Sequence, residues 1–235
     1  MSLPFETIVD RPERLAAVFS QRLQAAQRET PWTLAVPGGS VAETFFPVLA
    51  TAAIDWRLLH LFWCDERAVP PDHPDSNYRI AAERLLNRAP IDMRHVHRMR
   101  GEAPDLARAA ADYEAELIAL TGERRRVDVA VLGVGPDGHV SSLFPGHAAL
   151  DERAHLAVPI LDSPKPPPRR LTLTLPALAG AFVVIAAFGA AKAAVIREAL
   201  ENEESPLPVA RAARNAKTAL FLLDDDAASD IAPRA

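Results

Sequence analysis

The sequence predicts an α/β protein with a doubly wound, mainly parallel, Rossmann-like sheet and helices on both faces. Three observations carry this reading. Short runs of β-branched and aliphatic residues recur at 32–36, 58–63, 127–132, 183–188 and 218–223, each long enough for one buried strand. Between them lie segments whose apolar residues follow helical spacing, and alternation of strand with helix is the pattern of a parallel sheet. Several runs empty at their carboxyl ends into glycine-bearing or charged turns, where open α/β sheets place their ligand crevices.

No Gly/Ser linker or charge block divides the 235 residues, so 1–235 reads as one domain. With 49% hydrophobic and 24% charged residues the chain can bury a sizeable core. The formal charge of −5 supplies no basic field for nucleic acid, so an anionic ligand must be held by a local cluster of Arg and Lys. Cys64 is the single cysteine, which excludes an internal disulfide and a Cys-based zinc site and fits a reducing compartment, the cytoplasm. The opening MSLPFE lacks a basic segment followed by an apolar core, and no run approaches the roughly 18 apolar residues of a membrane span. Neither export nor membrane insertion is expected.

Taken in order, Asp10-Arg11-Pro12-Glu13 has the D-x-x-E form of a capping box and opens a first helix that ends near Thr30-Pro31. The strand at 32–36 runs into PGGS at 37–40 and a helical pattern over 41–52, with Ser40 read as the N-cap. Such a turn also leaves backbone N–H groups and a hydroxyl at the positive end of a helix dipole, a ready anion site. The strand at 58–63 exits into Asp65-Glu66-Arg67. On extended backbone Asp65 and Arg67 share one side and Glu66 takes the other, although a solvated charge cluster is the default for a polar loop.

Residues 70–78 form a proline-stiffened loop leading to a helix over about 77–87. A short strand at 95–97 would put His95 and His97 on one face; no further metal ligand is obvious, so these read as surface histidines. Residues 105–120 are an amphipathic helix. The strand at 127–132 then opens into a loop holding Asp137, His139, Ser141 and Ser142 within six positions. Gly133 to Gly138 satisfies G-x-G-x-x-G, but Pro145 interrupts any helix starting here within about two turns. A nicotinamide or flavin site is therefore not inferred, and no cofactor is expected.

A short strand is placed at 155–159, and SPKPPPRR at 163–170 is stiff, basic and polyproline-like, alone the pattern of an SH3 ligand. Residues 171–175 alternate with period two, giving one apolar and one hydroxyl face. The run at 183–188 ends at Gly189 before a helix over about 191–200 with Lys192 in its first turn. The macrodipole disfavours a cation there, which hints at a nearby anion, though a solvated lysine fits equally. The last strand is 218–223, and the acidic tail from Asp224 is expected to fray. No exposed apolar stripe stands out, so a monomer or weak homodimer is expected.

Five motifs now align: PGGS at 37–40, DERAVPPDHPDSN at 65–77, LGVGPDGHVSSLFPGH at 132–147, KPPPRRLTLTLP at 165–176 and GAAK at 189–192. In this order they resemble the 6-phosphogluconolactonase family, and the second and third are long and specific. That family shares its fold with glucosamine-6-phosphate deaminases, which typically continue Asp-Gly-His as H-x-A-F-N-E-P. Here Phe144 stands where the deaminase glutamate precedes the proline, and Arg67 where deaminases usually carry tyrosine. Ala68 and Val41 depart from the common lactonase pattern and bear on loop packing.

The resemblance implies hydrolysis of 6-phospho-D-glucono-1,5-lactone to 6-phosphogluconate, in the oxidative pentose phosphate pathway. A small phosphosugar lactone is then the partner. A lactone is an activated ester, so one base and some positive charge at the carbonyl oxygen suffice, with no metal required. The resemblance makes His139 the general base, Asp137 its orienting carboxylate, and Arg67 a binder of the oxyanion or of sugar and phosphate oxygens. Gly38, Gly39, Ser40 and Asp65 belong to the substrate site, Arg170 and Lys192 supply charge, Lys165 is a weaker candidate, and Asn77 supports the site. A serine hydrolase built on Ser141 or Ser142 lacks a G-x-S-x-G elbow. A sugar-phosphate sensing module would carry a helix-turn-helix, and none fits before Trp32.

Overall fold

The computed structural model describes residues 5–231, so most of the opening segment and the last four residues of the acidic tail lie outside it. In chain order the elements are β1 (Glu6–Val9), α1 (Pro12–Ala26), β2 (Trp32–Val36), α2 (Gly39–Leu49), β3 (Leu59–Trp63), β4 (Asp65–Arg67), α3 (Asn77–Ala81), β5 (Val96–His97), α4 (Leu106–Thr121), β6 (Val129–Gly133), β7 (Ala157–Ile160), β8 (Arg170–Leu173), α5 (Leu175–Leu178), β9 (Phe182–Ala187), α6 (Ala193–Glu201), α7 (Pro208–Asn215) and β10 (Thr218–Leu223). Seven strands pair in the order β1-β10-β9-β6-β2-β3-β5, all parallel. Three more, β4-β8-β7, form an antiparallel sheet. The parallel sheet matches the sequence reading; β1 and β4 were not part of it, and the strands expected at 155–159 and 171–175 form β7 and β8 but pair in a separate antiparallel sheet.

Strand order explains where a ligand can sit. From β2 the chain winds outward through β3 to β5, then returns to β6 on the other side of β2 and continues through β9 to β10. The direction reverses between β2 and β6, and that switch point leaves a crevice beyond their carboxyl ends. The glycine turn after β2 and the Asp-Gly-His turn after β6 both emerge there. Apolar strand residues on both faces are buried, as a parallel sheet covered on both sides requires. Phe19 of α1 stacks on Phe45 of α2 at 5.2 Å as part of that cover.

Cys64 joins the two sheets. Its N–H donates to Val36 O at 2.8 Å in the parallel sheet, and its carbonyl accepts from Leu173 N–H at 2.8 Å beside the antiparallel one. The residues that follow are therefore not a solvated cluster: Asp65 is 7% exposed and Glu66 2%. Glu66 accepts four hydrogen bonds, from the N–H groups of Arg67 (2.7 Å), Asn77 (2.7 Å) and Tyr78 (2.7 Å) and from Ser76 Oγ (3.0 Å). Burial pushes its pKa up, and these donors act against that push. Asp65 and Arg67 do share one side, facing the crevice.

Other local expectations are corrected. Arg11, not Asp10, is the N-cap of α1, because Pro12 with its fixed φ occupies the first helical position; Asp10 instead accepts Arg11 N–H at 2.8 Å. Gly38 is the N-cap of α2 and Ser40 lies inside its first turn. The helix begun at Asn77 is capped by Ser76 and widens into a π-turn over Ala82–Leu86. Lys192 ends a 3-10 turn and is the N-cap of α6. His95 and His97 are not isolated surface residues, because pairing of β3 with β5 brings both rings against His60, His97 stacked and His95 tilted, with His60 Nδ1 3.0 Å from His97 Nε2. Burial, then His95 and His97, lower the His60 pKa to about 4. The tail expected to fray is anchored at its start, since the Asp224 carboxylate accepts Gly189 N–H and Ala227 N–H and Ala227 is fully buried, while residues 232–235 lie outside the described residues. Among the described residues no helix is long and apolar enough to cross a membrane.

Glu66→Gln would set an amide N–H2 against backbone donors that now share a carboxylate. We expect it to lower unfolding stability by about 2–3 kcal/mol, the cost of unsatisfied buried groups. Urea denaturation reads this; a change within about 0.5 kcal/mol, as for a surface charge, would contradict the role assigned to Glu66.

Candidate active site

The turn after β6 closes on itself. Gly135 N–H donates to His139 O and Gly138 N–H to Gly135 O, each at 2.9 Å, and Val134 bridges Val140. This brings Asp137 Oδ1 to 2.5 Å from His139 Nδ1, so the carboxylate two residues away does reach the ring. The hydrogen bond assigns the proton to Nδ1 and leaves Nε2 as the basic nitrogen. The residue types are dictated by space: a Cβ on Gly135 would lie 2.0 Å from the His139 ring and 2.6 Å from Asp137 Oδ1. Phe144 packs against the imidazole with ring centroids 4.6 Å apart and brings no acid to that place. Lys165 Nζ lies 3.2 Å from Asp137 Oδ1 and 3.4 Å from His139 Nδ1.

These contacts set the protonation states. Burial lowers the His139 pKa below 6.5; Asp137 acts in the opposite direction and the Lys165 charge reinforces the lowering. For Asp137, burial alone would raise the pKa, but bonding and charge from His139 and Lys165 outweigh it and hold the carboxyl at about 2. The result is a neutral imidazole beside a fixed carboxylate.

The facing wall comes from the small sheet. Pairing of β4 with β8 sets Arg67 directly opposite Arg170 and Asp65 opposite Thr172. Like charges so opposed repel, unless each is held. Arg170 is 4% exposed and gives Nε to Pro167 O (3.0 Å) and Nη2 to Lys165 O and Pro166 O (3.1 Å each). The proline-rich segment is thus wrapped round a guanidinium. Arg170 Nη1 also lies 3.4 Å from Ser142 Oγ and 3.9 Å from Asp65 Oδ2, and the group sits over the Phe144 ring at 5.7 Å. Burial lowers its pKa, Asp65 acts against that and Arg67 adds to it. Arg67 donates Nη1 to Asp75 O at 2.6 Å, while its buried Nε has no partner among the described residues.

Asp65 is held from two sides, accepting Ser142 Oγ at 2.6 Å and Asn77 Nδ2 at 3.2 Å. Asn77 Nδ2 also donates to Asp65 O at 2.8 Å, so two bonds tie it to Asp65. A Cβ on Gly38 would fall 1.8 Å from Asn77 Oδ1, which requires glycine at that position. Ser142 Oγ donates to Asp65, not to His139.

Between these walls lies a cavity of about 220 Å³. Of the residues singled out from the sequence, Gly38, Gly39, Ser40, Asp65, Arg67, Asn77, His139, Arg170 and Lys192 line it, while Asp137 stands behind His139. Burial, then the charge of Lys165, lower the Lys192 pKa, and Lys192 lines the same cavity as His139. Sequence reasoning underrated Lys165 and gave Glu66 and Ser142 no place in the network. Lys165 lies 28 positions from Asp137 and Ser142 lies 77 from Asp65, and only the fold joins them. Among the described residues no three His, Cys, Asp or Glu side chains are arranged to hold a metal ion.

Comparison with known proteins identifies the family. Residues 9–221 match the family model described as glucosamine-6-phosphate isomerases/6-phosphogluconolactonase. The chain is 46% identical over 172 residues to a human 6-phosphogluconolactonase, covering 72% of this chain and 66% of that protein. It is 39% identical over 240 residues to the 6-phosphogluconolactonase of Bos taurus, covering 94% and 92%. The solved structure of a 6-phosphogluconolactonase from Trypanosoma brucei superposes with a TM-score of 0.85 at 29% identity, over 98% of this chain and all of that one. The chain therefore belongs to the family of glucosamine-6-phosphate isomerases and 6-phosphogluconolactonases.

Proposed function

We propose that this protein hydrolyses 6-phospho-D-glucono-1,5-lactone to 6-phosphogluconate, the oxidative-branch step of the pentose phosphate pathway. The observation that carries the reading is one cavity with a neutral, carboxylate-oriented imidazole on one wall and the opposed Arg67 and Arg170 on the other. Its relatives bear the name 6-phosphogluconolactonase, and Phe144 beside the base, in place of a carboxylate, favours lactone opening over deamination.

In this mechanism His139 Nε2 takes a proton from water as the water oxygen attacks the lactone carbonyl carbon. The tetrahedral intermediate collapses with cleavage of the ring ester bond, and the proton held on His139 passes to the departing ring oxygen. Asp137 keeps the imidazole in its reactive tautomer, and Lys165 keeps both groups in the required charge state. The amino end of α2, at Gly39 and Ser40, offers backbone donors to the phosphate. Lys192, Arg67 and Arg170 compensate the charge of the phosphate and of the oxyanion that forms at the carbonyl oxygen. Arg67 has donor capacity left for a ligand, whereas Arg170 acts through its charge and by shaping the loop. The same reading takes the chain as one domain working in the cytoplasm as a monomer or weak homodimer, in keeping with the free, buried Cys64.

The direct test mixes the purified protein with freshly prepared 6-phosphoglucono-δ-lactone, with and without a chelator, and follows acid release against the spontaneous rate. Acceleration that survives chelation is expected, with His139→Ala reducing kcat by about 10²-fold or more. No acceleration by folded protein would shift the reading to a sugar-phosphate binding module.

The pH profile supplies a second test. Because burial lowers the His139 pKa, kcat/KM should rise with a midpoint below 6.5 and be level at neutral pH once the spontaneous reaction is subtracted. Asp137→Asn removes an influence that raises that pKa, so the midpoint should move further down while the plateau drops. A midpoint above 6.5, or one that rises in the variant, would exclude His139 as the base.

A further inference from the structure

We propose that Leu207 and the amino end of α7 form a strut that fixes the catalytic turn, making Leu207 a positioning residue for His139. The inference rests on the reading of His139 as the base and extends it to a residue that lines no part of the cavity.

The turn over residues 135–139 is closed mainly by bonds to itself, which define its shape without fixing its tilt against the sheet. Two contacts from α7 supply that. Val209 N–H donates to Gly138 O at 3.0 Å. The side-chain atoms Cδ2, Cδ1 and Cβ of Leu207 lie 3.1, 3.2 and 3.4 Å from where a Cβ on Gly138 would stand, so Leu207 covers that α-carbon directly. Gly138 has φ +81°, a conformation that glycine holds without steric cost and that leaves this face open to Leu207. The Gly138–His139 peptide is thereby held by its oxygen and at its α-carbon. Rotation of that plane would swing the imidazole away from Asp137 and change the direction in which Nε2 meets the cavity.

The strut is anchored at both ends. Pro208 starts α7, Leu207 N–H donates to Ser205 Oγ at 3.4 Å, and Arg214 Nη2 donates to Ser205 O at 2.6 Å. At the far end Asn215 O accepts Gly180 N–H at 2.7 Å, just before β9, which pairs with β6. Strand β6, its turn, α7 and β9 form a closed frame, and Leu207 is the side chain at its joint with the turn. The same covalent path begins at Lys192, runs through α6 and returns over residues 202–207, so a cation of the cavity and the support of the base lie on one stretch of chain.

The experiment compares wild type with Leu207→Ala, Leu207→Val and Leu207→Met, and with Ile118→Ala, which trims a partly buried side chain of α4 packed on the core. Leu207→Ala should reduce kcat about tenfold or more, as expected when a reacting group is misplaced, with KM changed by less than about twofold because the phosphate-side groups are untouched. Leu207→Val should fall between, and serves if the alanine variant does not fold. Leu207→Met should restore most of kcat, and Ile118→Ala should keep it. A downfield proton resonance of His139 Nδ1–H, expected in wild type from the short bond to Asp137, should broaden or vanish in Leu207→Ala. Unchanged kcat and resonance in a folded variant, an equal kcat loss in Ile118→Ala, or a rise in KM alone would overturn the strut. If wild type itself fails to open the lactone, the functional reading falls, while the resonance still reports whether Leu207 holds the turn.

Discussion

The buried carboxylate of Glu66 is the interaction on which the site depends. A three-residue strand such as β4 has little pairing of its own, and burying a charge is costly unless donors surround it. Glu66 meets both conditions, binding the backbone of its own strand and the otherwise unpaired N–H groups at the start of α3. That fixes Asn77, whose amide holds Asp65, and Asp65 in turn accepts Ser142 from the loop that follows His139. A chain of hydrogen bonds thus runs from α3 through the small sheet to the loop after β6. Loss of Glu66 would disturb both walls of the cavity, although Glu66 does not line it.

Charge is distributed against the average. The chain carries a formal −5, yet Arg67, Arg170, Lys192 and Lys165 gather round a single crevice, answered there by Asp65 and Asp137. The opposed arginines on β4 and β8 are a local conflict of the sort that persists where function requires it. Carbonyl oxygens of residues 165–167 lower its cost by taking the Nε and Nη2 donors of Arg170, while Arg67 keeps a buried Nε with no partner among the described residues. An anionic guest would relieve the remaining repulsion.

What the sequence disclosed followed from local chemistry. The inner strands β2, β3, β6, β9 and β10 were legible because residues buried on both faces read as continuous apolar runs. Glycine turns marked the carboxyl ends, and the motif resemblance located the cavity's lining. The small sheet was hidden because Asp65-Glu66-Arg67 has the composition of a solvated loop, and only β8, more than 100 positions on, makes it a strand. The short β1 carries Glu6 and Thr7, a weak strand signal until β10 is there to pair with it. His95 and His97 looked solitary because the third ring, His60, lies on another strand. Lys165 looked marginal for a similar reason: its proline-rich segment resembles a free ligand until Arg170 folds it inward.

In the proposed mechanism, the pairing of His139 with Asp137 divides one task between two environments. A strongly basic imidazole would already be protonated near neutral pH and unavailable, whereas an activated ester needs only a modest base. Burial and Lys165 keep the ring deprotonated, at some expense of basicity, and Asp137 restores part of that basicity while fixing the tautomer. Asp137 can do so over the whole working range because Lys165 and His139 hold it near 2, leaving it ionised while the imidazole changes state. In that mechanism one group carries the proton and the other carries a constant charge. Lys165 links them, since the same ammonium that stabilises the carboxylate also opposes protonation of the ring.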